Sequence, residues 1–164
     1  MKSLIHSACI AIENPTDYEA RSNIMWCATV ALNRITGVSK TQDWMVHGIE
    51  HQLGAYTDCP HGLGLSVISM PYYRFIYKYG THKFVRFAKN VWGIDAEGKS
   101  DDEVALEGIA ALEKFSKDLG IPSTLRELGA TEDMLPKIAF SVAEEGGYKI
   151  VTHEEILAIL KACF

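Results

Sequence analysis

The chain has 164 residues, 48% of them hydrophobic and 23% charged, with 16 Lys and Arg against 21 Asp and Glu for a formal net charge of -5. That balance is ordinary for a globular chain and excludes disordered, collagen-like and mucin-like compositions, and roughly two-thirds of the surface of a chain this size can be buried on folding. The negative charge offers no electrostatic footprint for a nucleic-acid backbone or an anionic membrane, so neither partner is expected.

The first residues contain Lys2, a short apolar run interrupted by His6, and then Glu13. This makes neither a signal peptide nor a spanning helix and points to a cytoplasmic location. Thr16 to Glu19 fits a capping box, in which a hydroxyl takes the third backbone N–H and a carboxylate reaches back to the cap. It predicts a helix whose Ile24, Met25, Cys27, Ala28, Ala31, Leu32 and Ile35 follow three-and-four spacing until Gly37. A segment from about Asp43 to Gly54 and a run from His61 towards Met70 also read as helical, with Pro71 as a break or kink. Another such segment spans Thr81 to Trp92.

Ser100 to Glu103 is a second capping box, opening a helix that carries Val104, Ala105, Ile109, Leu112 and Phe115 and closes at Gly120-Ile121-Pro122. A helix from Thr131 to about Glu145 precedes a Gly146-Gly147 turn. A third box, Thr152 to Glu155, opens a short last helix with Ile156, Leu157 and Ile159. No alternating run, glycine-rich phosphate loop or internal repeat is present. The expectation is an all-α fold forming a single domain over residues 1–164. The four cysteines, Cys9, Cys27, Cys59 and Cys163, form no CxxC pair and read as reduced, small apolar fillers.

Three of the six histidines fall between positions 47 and 61. His47 and His51 are four apart, so on a helix they share one face, and Pro60 gives a sharp entry that could fold His61 back beside them. Neutral imidazole is the commonest transition-metal ligand, and converging histidines suit zinc or iron. Spacing alone leaves open a pair of ordinary surface histidines. Glu50 does not complete the HExxH pattern of metalloproteases, because it adjoins the wrong histidine. Gly54, Gly62 and Gly64 admit either a ligand or close helix packing.

The run HGIEHQLGAYTDCPHGLGLSVISMP resembles the second metal-binding segment of the iron-containing (group III) alcohol dehydrogenases: a histidine, another four residues on, and a PHG about ten residues later. NPTDYEARSNIMWCATVALN is similar to the helix that precedes this segment in the family, and EGGYKIVTHEEILAILKACF to its closing turn and last helix. The resemblance covers nearly the whole chain and looks nearest to the butanol-dehydrogenase-like branch. It implies the multi-helix C-terminal domain of that family, with His47 and His61 as ligands of a divalent metal, Fe2+ or Zn2+, and His51 placed towards nicotinamide and substrate as a catalytic proton relay or as an orienting group. The family's other two ligands, an aspartate and a histidine four residues apart, lie upstream of the matched segment, as does its nucleotide-binding domain.

The resemblance therefore implies a fragment of a metal-dependent NAD(P)-linked enzyme interconverting small alcohols with aldehydes or ketones. NAD(P) is expected only with the missing N-terminal half, and the isolated chain is expected to be inactive and to self-associate as a homo-oligomer. The alternatives are a non-catalytic helical metal-binding or association domain, and a self-contained metal protein recruiting Glu50, Asp58 or a second copy of the chain.

Overall fold

The computed structural model describes all 164 residues: eight α-helices linked by short 3-10 and π turns, with no strand. The chain is all-α. It divides into two compact units, Met1–Gln42 and Asp43–Phe164.

In the first unit, α1 (Lys2–Glu13) and α2 (Tyr18–Leu32) are joined by a four-residue turn and pack along each other. The N-terminal apolar run, in which the sequence marks no helix start, is thus helical; it has no side-chain cap to announce it. α2 is capped by Asp17, whose Oδ1 accepts the Ala20 N–H at 2.8 Å, and not by the Thr16 box. A carboxylate at the positive end of a helix is the stronger cap. Nor does α2 reach Gly37. It stops at Leu32, after which Asn33 closes it and Arg34 takes a left-handed backbone (φ 67°) before a single 3-10 turn.

The second unit holds the core. α3 (Met45–Thr57), α4 (His61–Ile76), α7 (Met134–Ser141) and α8 (His153–Ala162) bury Ile49, Leu53, Ile68, Tyr72, Ile138 and Leu160 against one another. α4 continues through Pro71 and is 16 residues long. An interior proline costs about 3 kcal/mol, and burial of Val67, Ile68, Tyr72 and Ile76 on both sides of it offsets that cost. α5 (Thr81–Phe87) and α6 (Asp101–Asp118) form a second cluster around Tyr77, Ala105 and Ile109. The expected helix 81–92 is α5 followed by a π turn, Ala88–Trp92, that ends on Gly93 at φ 71°. Gly108 of α6 faces Ala88, where an added Cβ would lie 2.7 Å from the Ala88 Cβ. Helix packing this close needs glycine.

Both later capping boxes form. Ser100 Oγ accepts the Glu103 N–H while Glu103 Oε2 accepts the Ser100 N–H, and Thr152 and Glu155 repeat the pattern. α7 is shorter than the 131–145 reading, because Val142 turns to extended backbone and is itself buried. All four cysteines are free; Cys163 is buried, with its thiol pushed up to about 12 by burial, whereas Cys9 is exposed and fills nothing. No helix is long and apolar enough to cross a membrane.

Candidate metal centre

The site lies within the second unit, where α3 meets α4. Asp43 sets the start of α3: its Oδ1 accepts the Met45 N–H at 3.0 Å and its Oδ2 accepts the Tyr72 hydroxyl at 2.7 Å. Burial and this hydrogen bond raise the Tyr72 pKa. α3 then buries Met45, Ile49 and Leu53, which leaves His47 and His51 together on the open side. His47 is in the first turn of α3.

The link from α3 to α4 is only Asp58, Cys59 and Pro60. Asp58 takes the left-handed conformation (φ 54°), the Thr57 hydroxyl donates to the Leu53 carbonyl, and the Cys59 N–H donates back to that hydroxyl. Asp tolerates this backbone better than most residues. The reversal returns His61, the first residue of α4, to the neighbourhood of the α3 pair.

The three imidazoles gather. Ring centroids are 5.4 Å apart for His47 and His61, 5.5 Å for His51 and His61, and 6.3 Å for His47 and His51. Trp44 stands edge-on to His47 at 4.8 Å. Partial burial, with repulsion from His61 and His51, lowers the His47 pKa, opposed by the Glu50 carboxylate. The neutral form of that imidazole is thereby favoured.

The residue that sequence reasoning underrated is Glu50. It is the one buried charged side chain of the molecule, and its Oε2 meets His61 Nδ1. Potential ligand atoms of Glu50, His51 and His61 lie within 4.8 Å of one another. The room for it comes from another helix: a Cβ on Gly64 would fall 2.8 Å from Glu50 Cγ. Beside His47, a cleft of about 340 Å³ opens between Tyr72, Tyr73, Phe84 and Tyr148. It is mostly apolar, and of the three imidazoles His47 lines it. His82 and His153 lie outside the cluster, and His153 Nε2 instead contacts the Val142 carbonyl at 2.9 Å.

The model of the Fe-containing alcohol dehydrogenase family, C-terminal, matches residues 1–164. The chain belongs to this family. It is 36% identical over its full length to NADH-dependent butanol dehydrogenase A of Clostridium acetobutylicum, of which it covers 43%. It is 31% identical over 94% of its length to the NADPH-dependent aldehyde reductase YqhD of Escherichia coli, covering 39% of that protein. The crystal structure of NADH-dependent butanol dehydrogenase A from Thermotoga maritima superposes with a TM-score of 0.91 at 32% identity, covering 99% of this chain and 43% of that one. The helical fold is therefore that of the family's C-terminal portion. The chain spans less than half the length of these relatives.

Proposed function

We propose that this iron-type alcohol dehydrogenase chain forms the metal-holding and proton-handling portion of an enzyme that interconverts a small alcohol with an aldehyde or ketone, using NAD(P). The observation that carries the reading is the convergence of His47, His51 and His61 from two helices, with His47 also lining a largely apolar cleft. The donor set fits a divalent ion such as Fe2+ or Zn2+: neutral imidazoles on an open face, with a buried carboxylate behind one of them. When bound, such an ion supplies Lewis-acid polarisation of the substrate oxygen.

The chain's own residues divide the remaining work. His47 and His61 are the proposed ligands, and the lowered His47 pKa keeps that imidazole free of a competing proton. His51 is the proposed proton relay, since an imidazole exchanges its proton near neutral pH. The apolar walls of the cleft receive the substrate's alkyl part and exclude water from it. NAD(P) is assigned to a separate nucleotide-binding portion, because the strand, glycine-rich turn and helix unit that cradles a pyrophosphate has no counterpart in an all-helical chain.

Titration with Co2+, followed by its visible absorption, tests the ligand pair. His47→Ala and His61→Ala should each weaken uptake relative to wild type, while His51→Ala should retain it. Equal uptake by wild type and His47→Ala would sink the assignment. One observation also favours an association role: Tyr18, Met25, Trp26 and Leu32 of α2 are large, apolar and exposed. Sedimentation velocity should show self-association that Met25→Glu with Trp26→Glu abolishes; a wild-type monomer at high concentration argues against this role.

A further inference from the structure

A carboxylate with 2% of its surface exposed has a large solvation penalty to offset, and Glu50 has few means of offsetting it. It projects from α3 against the first turn of α4, where a Cβ on Gly64 would come within 2.8 Å of its Cγ and 2.9 Å of its Oε1. The absence of a side chain at position 64 is what makes the space. That end of α4 carries the positive pole of the helix dipole, which favours an anion there. The partner that remains is His61, whose Nδ1 meets Glu50 Oε2. Glu50 lies on the protein side of the imidazole, whereas the His61 side chain is half-exposed.

Resting on the ligand assignment above, we propose that Glu50 is a positioning residue: it accepts the Nδ1–H of His61, locks that ring in one tautomer and one orientation, and thereby turns a bare Nε2 outward towards the other two imidazoles. Glu50 Oε2 is engaged by His61 Nδ1, and the carboxylate is packed between α3 and α4 with Gly54 and Gly64 as close neighbours. Direct ligation, for which a Glu50 oxygen lies within 4.8 Å of the ligand atoms of His51 and His61, is the outcome that the Gln and Ala variants distinguish. His47 has no such carboxylate, so the two proposed ligands are unequal: His61 is held and His47 is comparatively free. Carboxylate support of this kind, bonded to a ligating imidazole through its other nitrogen, typically changes metal affinity by about 10- to 100-fold.

The test uses the full chain, first without metal. Nitrogen-15 NMR of histidine-labelled protein at pH 8.5 should find His61 protonated at Nδ1 and bare at Nε2. In Glu50→Ala the ring should lose this preference, while Glu50→Gln, which keeps an acceptor oxygen, should largely restore it. Gly64→Ala gives a second route that leaves the carboxylate in the chain: its methyl displaces the Glu50 side chain and should release His61 in the same way. Circular dichroism checks that each variant folds.

Co2+ titration is the second readout. Affinity should fall about 10- to 100-fold in Glu50→Ala and no more than a few-fold in Glu50→Gln. A proton found on Nε2 in the wild type overturns the proposal, as does equal loss of affinity in the Gln and Ala variants, which would make Glu50 a ligand. The expected tautomer combined with no metal uptake by the wild type would instead count against the proposed function alone, because the tautomer is read without metal.

Discussion

The two units are both helical, but only the second is built around a core. α2 is 15 residues long and buries Ala20 alone, whereas α3, with 13, buries Met45, Ile49, Glu50 and Leu53. In α2 the large apolar residues lie outside, with Tyr18 86% and Trp26 67% exposed. Helical periodicity shows that a segment can present an apolar face. It does not show what covers that face, and here a shorter helix with fewer aromatic residues does more for stability.

The largest expected effect comes from deleting side chains in each unit. Leu53→Ala should cost about 2 to 5 kcal/mol, the usual range for a fully buried leucine, while Trp26→Ala should change stability by less than about 0.5 kcal/mol, as at exposed sites. Urea unfolding followed by circular dichroism reads both. A Trp26→Ala loss as large as that of Leu53→Ala would erase the distinction between the units. A smaller effect is expected at the caps. Ser100→Ala should cost about 1 kcal/mol in the global transition, whereas Asp17→Ala should appear chiefly as faster amide exchange within α2, since local opening needs less than global unfolding where little is buried. Equal protection of α2 and α3 in hydrogen exchange would break the comparison.

The smallest effect is in pH dependence and belongs to the second unit. The His47 pKa is lowered in the folded protein, by burial first and by His61 and His51 next. Folding therefore favours its neutral form. The corresponding stability is fully present above the unfolded value near 6.5 and is lost as pH falls from there through the lowered pKa. NMR titration of the His47 ring should give a midpoint below that reference, and removing the neighbouring charge in His61→Ala should move it upward. A midpoint above 6.5 would reverse the sign.

How much of this was legible in the sequence follows from how local each signal is. Ser100 with Glu103 and Thr152 with Glu155 were readable because a capping box closes within four residues. The proximity of His47 and His51 required only helical spacing, and that of His61 was suggested by Pro60. At Pro71 the helix does not break: the local penalty is visible in sequence, while the burial of Tyr72 and Ile76 that offsets it is tertiary. The end of α2 was misplaced for the opposite reason: Leu32 and Ile35 continue the apolar rhythm, but Arg34 leaves the helical backbone. Glu50 was readable only as a possible metal ligand, and its burial against His61 escaped because that partner lies eleven residues away and the room for it is made by a glycine in another helix. Such a pairing has no sequence period.

The placement of the three tryptophans gives the molecule an optical readout of its own. Trp26 is exposed on α2, Trp44 stands edge-on to His47, and Trp92 lies near Phe87 and Phe115 with its indole nitrogen buried and without a hydrogen-bond partner. Their emission should differ accordingly: red-shifted and open to iodide quenching for Trp26, blue-shifted for Trp92, and dimmed on acidification for Trp44 as the adjoining imidazole becomes cationic. With two of the three replaced by phenylalanine, the remaining indole would report separately on the first unit, the histidine cluster or the α5–α6 packing, with no label attached.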